Sequence, residues 1–121
     1  MTTTSATLLE MTPRQALDVL QEGTGLSEEG IAQGLGINRR TIQRWRTGAA
    51  YPQQAARQRL TTLLRLYQRV RETFTSTEAA RLWFNSPSRY LGGITPAEAI
   101  RVGRPDRVEA DLEGLHSGIF L

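Results

Sequence analysis

The segment from Leu26 to Gly48 constrains the fold of this chain most, because it carries signals for two short helices joined by a tight turn. Ser27 is a good N-cap residue, and two glutamates follow it in the first turn, where the helix dipole favours negative charge. Gly36 supplies the permissive backbone that a turn between helices needs. Asn38 then caps the second helix. The spacing therefore predicts a helix-turn-helix.

The second helix of this pair has one apolar face and one polar face. At about 100° per residue, Ile42 and Trp45 fall on the apolar side. Arginine can pair with guanine edges and glutamine with adenine edges in the major groove, and flanking arginines suit phosphate. The predicted DNA-binding residues are Arg39, Arg40, Gln43, Arg44, Arg46 and Thr47. The alternative is an ordinary helix pair with a solvated basic face.

Charge is segregated along the chain, although the net charge is only +3. Between Gly30 and Arg71 there are nine arginines and no acidic residue, whereas from Ser76 onward six acids accompany five arginines. The positive field therefore lies on the helix-turn-helix and the helix after it, as nucleic-acid binding requires.

The rest of the composition argues against an enzyme. With 121 residues and 39% hydrophobic residues, the chain can hold a modest core. It has no cysteine, and its one histidine, His116, stands without a nucleophile pattern or metal-ligand cluster. We therefore expect no catalytic residues, no metal site and no cofactor. No signal peptide or apolar segment of spanning length is recognisable, so a cytoplasmic protein without membrane contact is expected.

Further helices are predicted from capping pairs and apolar periodicity, so the expected fold class is all-α. Residues 1–11 are expected to be a disordered lead-in before a helix that Thr12 and Gln15 open with a capping box. A long periodic segment runs from about Pro52 to Phe74, and its apolar stripe could pack within the chain or against a second copy. We expect a homodimer, because a monomer that reads one half-site would bind weakly.

The second half of the chain is predicted to be a separate functional unit within one compact molecule. Residues 12–74 would form the DNA-binding unit with its linking helix, and residues 75–121 the second unit. A capping box of Thr75 with Glu78 should open one helix, Thr95 a short one and Pro105 the last. In the last helix the acidic residues are expected to point outward: Glu109, Asp111 and Glu113.

The order of residues in this second unit resembles the toxin-binding domain of Xre/MbcA/ParS-type antitoxins. Leu-Gly-Gly or Thr-Pro would be a weak signal alone, but the ensemble is specific, and the preceding helix-turn-helix is the partner domain expected in that family. One departure is Ser88, which stands where the family usually has asparagine. The matched positions are Trp83, Asn85, Pro87, Leu91, Gly92, Gly93, Thr95, Pro96, Glu98, Ala99, Gly103, Arg104, Val108, Leu112 and Gly118.

The resemblance implies a bacterial type II antitoxin that neutralises a RES-domain toxin, an enzyme that degrades NAD or uses it for ADP-ribosylation. It also implies repression of the antitoxin's own operon through binding to double-stranded operator DNA. The C-terminal residues would block the toxin active site: Gly118, Ile119, Phe120 and Leu121. Trp83, Gly92 and Gly93 are added because the family's binding surface lies nearby, although a core role for Trp83 and a backbone role for the glycines are the simpler interpretations. The alternative is a stand-alone repressor whose C-terminal half dimerises or senses a ligand.

Overall fold

The computed structural model describes residues 10–117, and this part of the chain is helical with no strand. The all-α prediction is therefore confirmed. The helices in chain order are α1 Pro13–Thr24, α2 Glu28–Leu35, α3 Arg39–Thr47, α4 Gln54–Thr73, α5 Thr77–Phe84, α6 Pro96–Arg101 and α7 Pro105–Ser117. None of these described helices is long and apolar enough to cross a membrane. Most of the predicted lead-in, residues 1–9, and the C-terminal residues 118–121 lie outside the described range.

The two helices of the predicted helix-turn-helix form where the local signals place them. The Ser27 hydroxyl accepts a hydrogen bond from the Gly30 amide at 3.0 Å and so caps α2. The Asn38 side chain accepts one from the Arg40 amide at 2.8 Å and caps α3. Gly36 lies between the helices with a φ of 70°, a left-handed conformation that residues with a Cβ rarely adopt. The two caps and the left-handed backbone of Gly36 therefore fix the position of the turn.

The long helix α4 buries its apolar stripe inside the chain. The stripe packs against α1, α2, α5 and α7. The buried residues of the stripe are Leu60, Leu63, Leu64, Leu66, Tyr67 and Val70. The sequence left two arrangements open for this stripe, packing within the chain or against a second copy. The structure has the first.

Two details of the second half were predicted wrongly. The first turn of α5 is capped by Ser76, whose hydroxyl accepts a hydrogen bond from the Ala79 amide at 3.0 Å, and not by Thr75. Asp111 points inward and only 6% of its surface is exposed. It lies about 60° around α7 from the fully buried Val108, so helical geometry turns it toward the interior. The predicted helix starts at Thr95 and Pro105 are confirmed within one residue.

One hydrophobic core joins the two halves of the molecule. It contains Leu17 and Ile31 from the first half together with Phe84 and Ile100 from the second. Helix α1 packs on α5, and α2 packs on α6. The two predicted units therefore share a core.

Polar contacts reinforce this joint. The Asn85 side chain donates a hydrogen bond to the Thr24 carbonyl at 2.8 Å, and Arg101 donates one to the Gln33 side chain at 2.7 Å. A Cβ placed on Gly34 would lie 2.7 Å from the backbone oxygen of Ile100, so only glycine lets α2 approach α6 this closely.

Replacement of Gly34 by alanine should destabilise the fold by about 1–3 kcal/mol, because the new methyl group would press on backbone that cannot move aside. Helix propensity alone predicts the opposite sign, a gain of about 1 kcal/mol. Chemical denaturation measures the difference. Gly30→Ala is the control, since its Cβ would first meet the flexible end of the Leu26 side chain at 3.0 Å. Equal stability of the two variants would contradict the close approach of α2 and α6.

Candidate functional site

The outward face of α3 carries polar side chains that are open to solvent. Arg40, Gln43, Arg44 and Thr47 are all exposed, whereas Ile42 and Trp45 are buried on the opposite face. Among the ion pairs of residues 10–117, none involves Arg40 or Arg44. Their guanidinium groups are therefore available to an external anion or base edge.

The two flanking arginines of α3 are held by acids of neighbouring helices. Arg39 remains mostly exposed and lies 3.6 Å from a carboxylate oxygen of Glu28. Arg46 is half-buried, with its Nε 2.6 Å from Glu28 and a terminal nitrogen 2.7 Å from Asp18. It also donates a hydrogen bond to Gln21. Burial lowers the pKa of Arg46, but the hydrogen bonds with Asp18 and Glu28 outweigh that effect and raise it overall. Arg46 thus ties α1, α2 and α3 together, whereas Arg39 keeps an exposed head.

A glycine turn between α5 and α6 forms the second candidate surface. The Gly93 amide donates a hydrogen bond to the Ser88 carbonyl at 2.8 Å, and the Ser88 amide donates one to the Ile94 carbonyl at 2.9 Å. Gly92 and Gly93 have φ angles of 77° and 97°. Both are exposed, with open space where a Cβ would lie. The backbone therefore needs glycine at these two positions for its conformation, and their contact with a partner stays a prediction.

Trp83 is half-buried and joins the core to this second surface. Its ring stacks on Phe74 with a centroid distance of 5.7 Å and meets Phe84 edge-on at 5.2 Å. It also lines a groove of about 240 Å³ at the surface. The other residues of this groove, which we call the Asp111 groove, are Ser86, Pro87, Ser88, Arg89, Tyr90, Pro96, Asp111 and Leu115. The structure therefore brings Trp83 beside the glycine turn.

Sequence reasoning missed the Asp111 groove. Asp111 is one of the few buried polar residues, and Ser88 is its hydrogen-bond partner. Burial raises the pKa of this carboxyl, and the hydrogen bond from Ser88 lowers it less. The signal that could have found it is helical spacing, because Asp111 lies three residues after Val108 and four before Leu115 on the same side of α7.

The remaining predicted site residues lie elsewhere. Gly118, Ile119, Phe120 and Leu121 fall outside the described residues. The His116 ring is 2.6 Å from the Thr73 hydroxyl, a contact between α7 and the end of α4. Within residues 10–117, no group of three or more histidine, aspartate or glutamate side chains converges as metal ligands would.

These features define an all-helical protein with an arginine-bearing helix pair in its first half and, in its second, a glycine turn beside a groove that holds a buried carboxyl group. Residues 69–118 match the family model of the antitoxin Xre/MbcA/ParS C-terminal toxin-binding domain. The chain is also 30% identical over 100 residues to the mycobacterial cidal antitoxin MbcA of Mycobacterium bovis and of Mycobacterium tuberculosis, which covers 83% of this chain and 88% of each relative.

The fold agrees with this similarity. The chain superposes with a TM-score of 0.64 on a chain of the crystal structure of the M. tuberculosis MbcT-MbcA toxin-antitoxin complex, at 27% identity, covering 90% of this chain and 96% of that one. The chain belongs to the Xre/MbcA/ParS family of antitoxins. The resemblance inferred from the sequence is therefore confirmed.

The arginines of α3 should separate by their effect on stability. Arg46→Ala is expected to lower the free energy of unfolding by about 1–2 kcal/mol, because it removes the ion pair with Asp18 and leaves half-buried Glu28 with only the longer contact to Arg39. Arg40→Ala and Arg44→Ala are the matched controls and should stay within about 0.5 kcal/mol of the parent. Urea denaturation monitored by tryptophan fluorescence measures all three. An unchanged free energy of unfolding for Arg46→Ala would show that the ion pairs of Arg46 contribute little to the packing of the helices.

Proposed function

We propose that this chain binds and neutralises a RES-domain toxin that degrades NAD or uses it for ADP-ribosylation. The observation that carries the proposal is the match of residues 69–118 to the toxin-binding domain of the family. The glycine turn and the Asp111 groove both lie within those residues. Most of the large apolar side chains that are exposed among the described residues also lie on this half, where a protein partner could bury them. These side chains are Leu82, Tyr90, Ile94, Val102 and Leu115.

The proposal extends to residues 118–121, which would enter the active-site cleft of the toxin. Their sequence, Gly-Ile-Phe-Leu, offers one aromatic and two aliphatic side chains to an apolar pocket. Buried aromatic anchors commonly supply much of the binding energy of a protein interface. Occupation of the cleft would exclude the dinucleotide by steric overlap.

A second activity, repression of the chain's own operon, is proposed for α3. Support comes from the exposure of Arg40, Gln43 and Arg44 on one helix face, and from the absence of the two arginines from the ion pairs among residues 10–117. Arginine and glutamine are the side chains that read guanine and adenine edges in the major groove. Two copies of the chain would place their α3 helices in half-sites roughly 34 Å apart.

Arg40→Ala with Arg44→Ala should abolish binding to the operon's own promoter and leave toxin binding unchanged. Electrophoretic mobility shifts measure the first and calorimetric titration with the toxin the second. For the parent chain, log affinity for DNA should fall with log salt by ~0.9 for each phosphate contact. An affinity for DNA that does not change with salt would contradict the placement of α3 in the major groove. Equal loss of both activities would indicate global unfolding of the double variant.

Removal of residues 118–121 should prevent neutralisation of the cognate RES-domain toxin. NAD consumption by the toxin is the readout, and operator binding by the same truncated chain is the control that should persist. If the full chain bound its operator but no such toxin, a stand-alone repressor would be the better description. Full neutralisation by the truncated chain would instead reject the blocking role of the C-terminal residues and retain toxin binding elsewhere.

A further inference from the structure

The acids of α7 differ in how their charge is balanced. Asp106 pairs with Arg104, and Glu109 and Glu113 both pair with Arg69. Asp111 is the most buried of the four and takes part in none of the ion pairs among residues 10–117. Arg89 lines the same groove but is exposed and forms no ion pair with Asp111. The buried carboxylate is thus not neutralised by the described part of the chain, an arrangement that costs free energy unless a partner supplies the charge.

We propose that the Asp111 groove receives one cationic side chain, an arginine or lysine, from the toxin. This inference rests on the proposed function, because it names the chemistry by which the toxin-binding half recognises its partner. It adds a contact separate from residues 118–121. The occupant is specified by charge complementarity, since a carboxylate that accepts a hydrogen bond from Ser88 still has lone pairs for a second donor.

The size and walls of the groove fit a side chain better than a small molecule. Its volume of about 240 Å³ lies below the roughly 300–1,000 Å³ typical of small-molecule sites. Trp83, Pro87 and Leu115 offer apolar surface for an aliphatic stem.

Asp111→Asn tests the inference without removing the shape of the side chain. The amide oxygen can still accept the hydrogen bond from Ser88, but the charge is lost. Burial raises the pKa of Asp111 in the folded chain, so ionisation of this carboxyl disfavours folding. Its contribution to stability is therefore complete below the pKa of the unfolded chain, near 3.8, and is lost as the pH rises through the higher pKa of the folded chain. At neutral pH the variant should therefore be at least as stable as the parent. Chemical denaturation measures this independently of toxin binding.

The binding experiment uses the full chain and its purified cognate RES-domain toxin. We expect Asp111→Asn to bind the toxin at least tenfold more weakly, since removal of one partner of a buried charge pair raises the dissociation rate. Asp106→Asn is the matched control on the same helix, at an exposed carboxylate, and should change the affinity less than twofold. Binding of Asp111→Asn with parental affinity would overturn the inference.

A double-mutant cycle separates a direct ion pair from an indirect effect. Alanine replaces each surface arginine and lysine of the toxin in turn, and every variant is titrated against the parent chain and Asp111→Asn. One toxin variant should weaken binding of the parent but cause no further loss with Asp111→Asn. Additive losses across the whole panel would overturn the proposal. A change in the oligomeric mass of Asp111→Asn, measured without the toxin, would also overturn the proposal, because it would assign the groove to a contact between copies of the chain. Failure of the parent chain to bind the toxin would instead reject the proposed function itself.

Discussion

The close approach of α2 to α6 at Gly34 is the contact on which the arrangement of the two halves depends. Because glycine lacks a Cβ, the backbone of one helix can lie against the Ile100 carbonyl of the other. Arg101 and Gln33 then bridge the same pair of helices, and Arg59 of α4 donates a hydrogen bond to the last carbonyl of α2 at 3.0 Å. The helix pair that presents α3 is thereby built into the same core as the toxin-binding half, so both surfaces belong to one packed body.

Local rules account for most of what the sequence could predict. The caps at Ser27, Asn38 and Thr95 and the left-handed glycine at position 36 act over three or four residues, and each is visible in a short window of sequence. The error at Thr75 has the same local origin. Thr75 and Ser76 are adjacent hydroxyl residues that can both serve as N-caps, and the helix uses Ser76 although only Thr75 has a glutamate three residues later. Local signals therefore fix the kind of element better than its first residue.

Long-range pairing is what the sequence could not show. Arg44 and Arg46 look equivalent as basic residues of one helix, but Arg46 meets Asp18 and Glu28 from helices 28 and 18 residues earlier in the chain. Asp111 resembles its neighbours Glu109 and Glu113, which meet Arg69 of α4 about 40 residues away. Charge type and helical phase restrict where these side chains point, but the partner that neutralises each of them is set by tertiary packing.

The charged side chains differ in the same way in what they can contribute to recognition: some are paired within the chain, and others are left to interact with a partner. Arg46 and Arg69 are balanced within the chain, and balanced groups add little recognition because they would have to break existing ion pairs to bind. Arg40 and Arg44 are exposed and form no ion pair with residues 10–117, so water hydrates them at little cost to the fold. Asp111 is different, since its burial removes hydration and no residue of the described range pairs it with an opposite charge. An apolar residue at this position would avoid the desolvation cost, so a carboxylate there fits the proposed role in recognition of a partner.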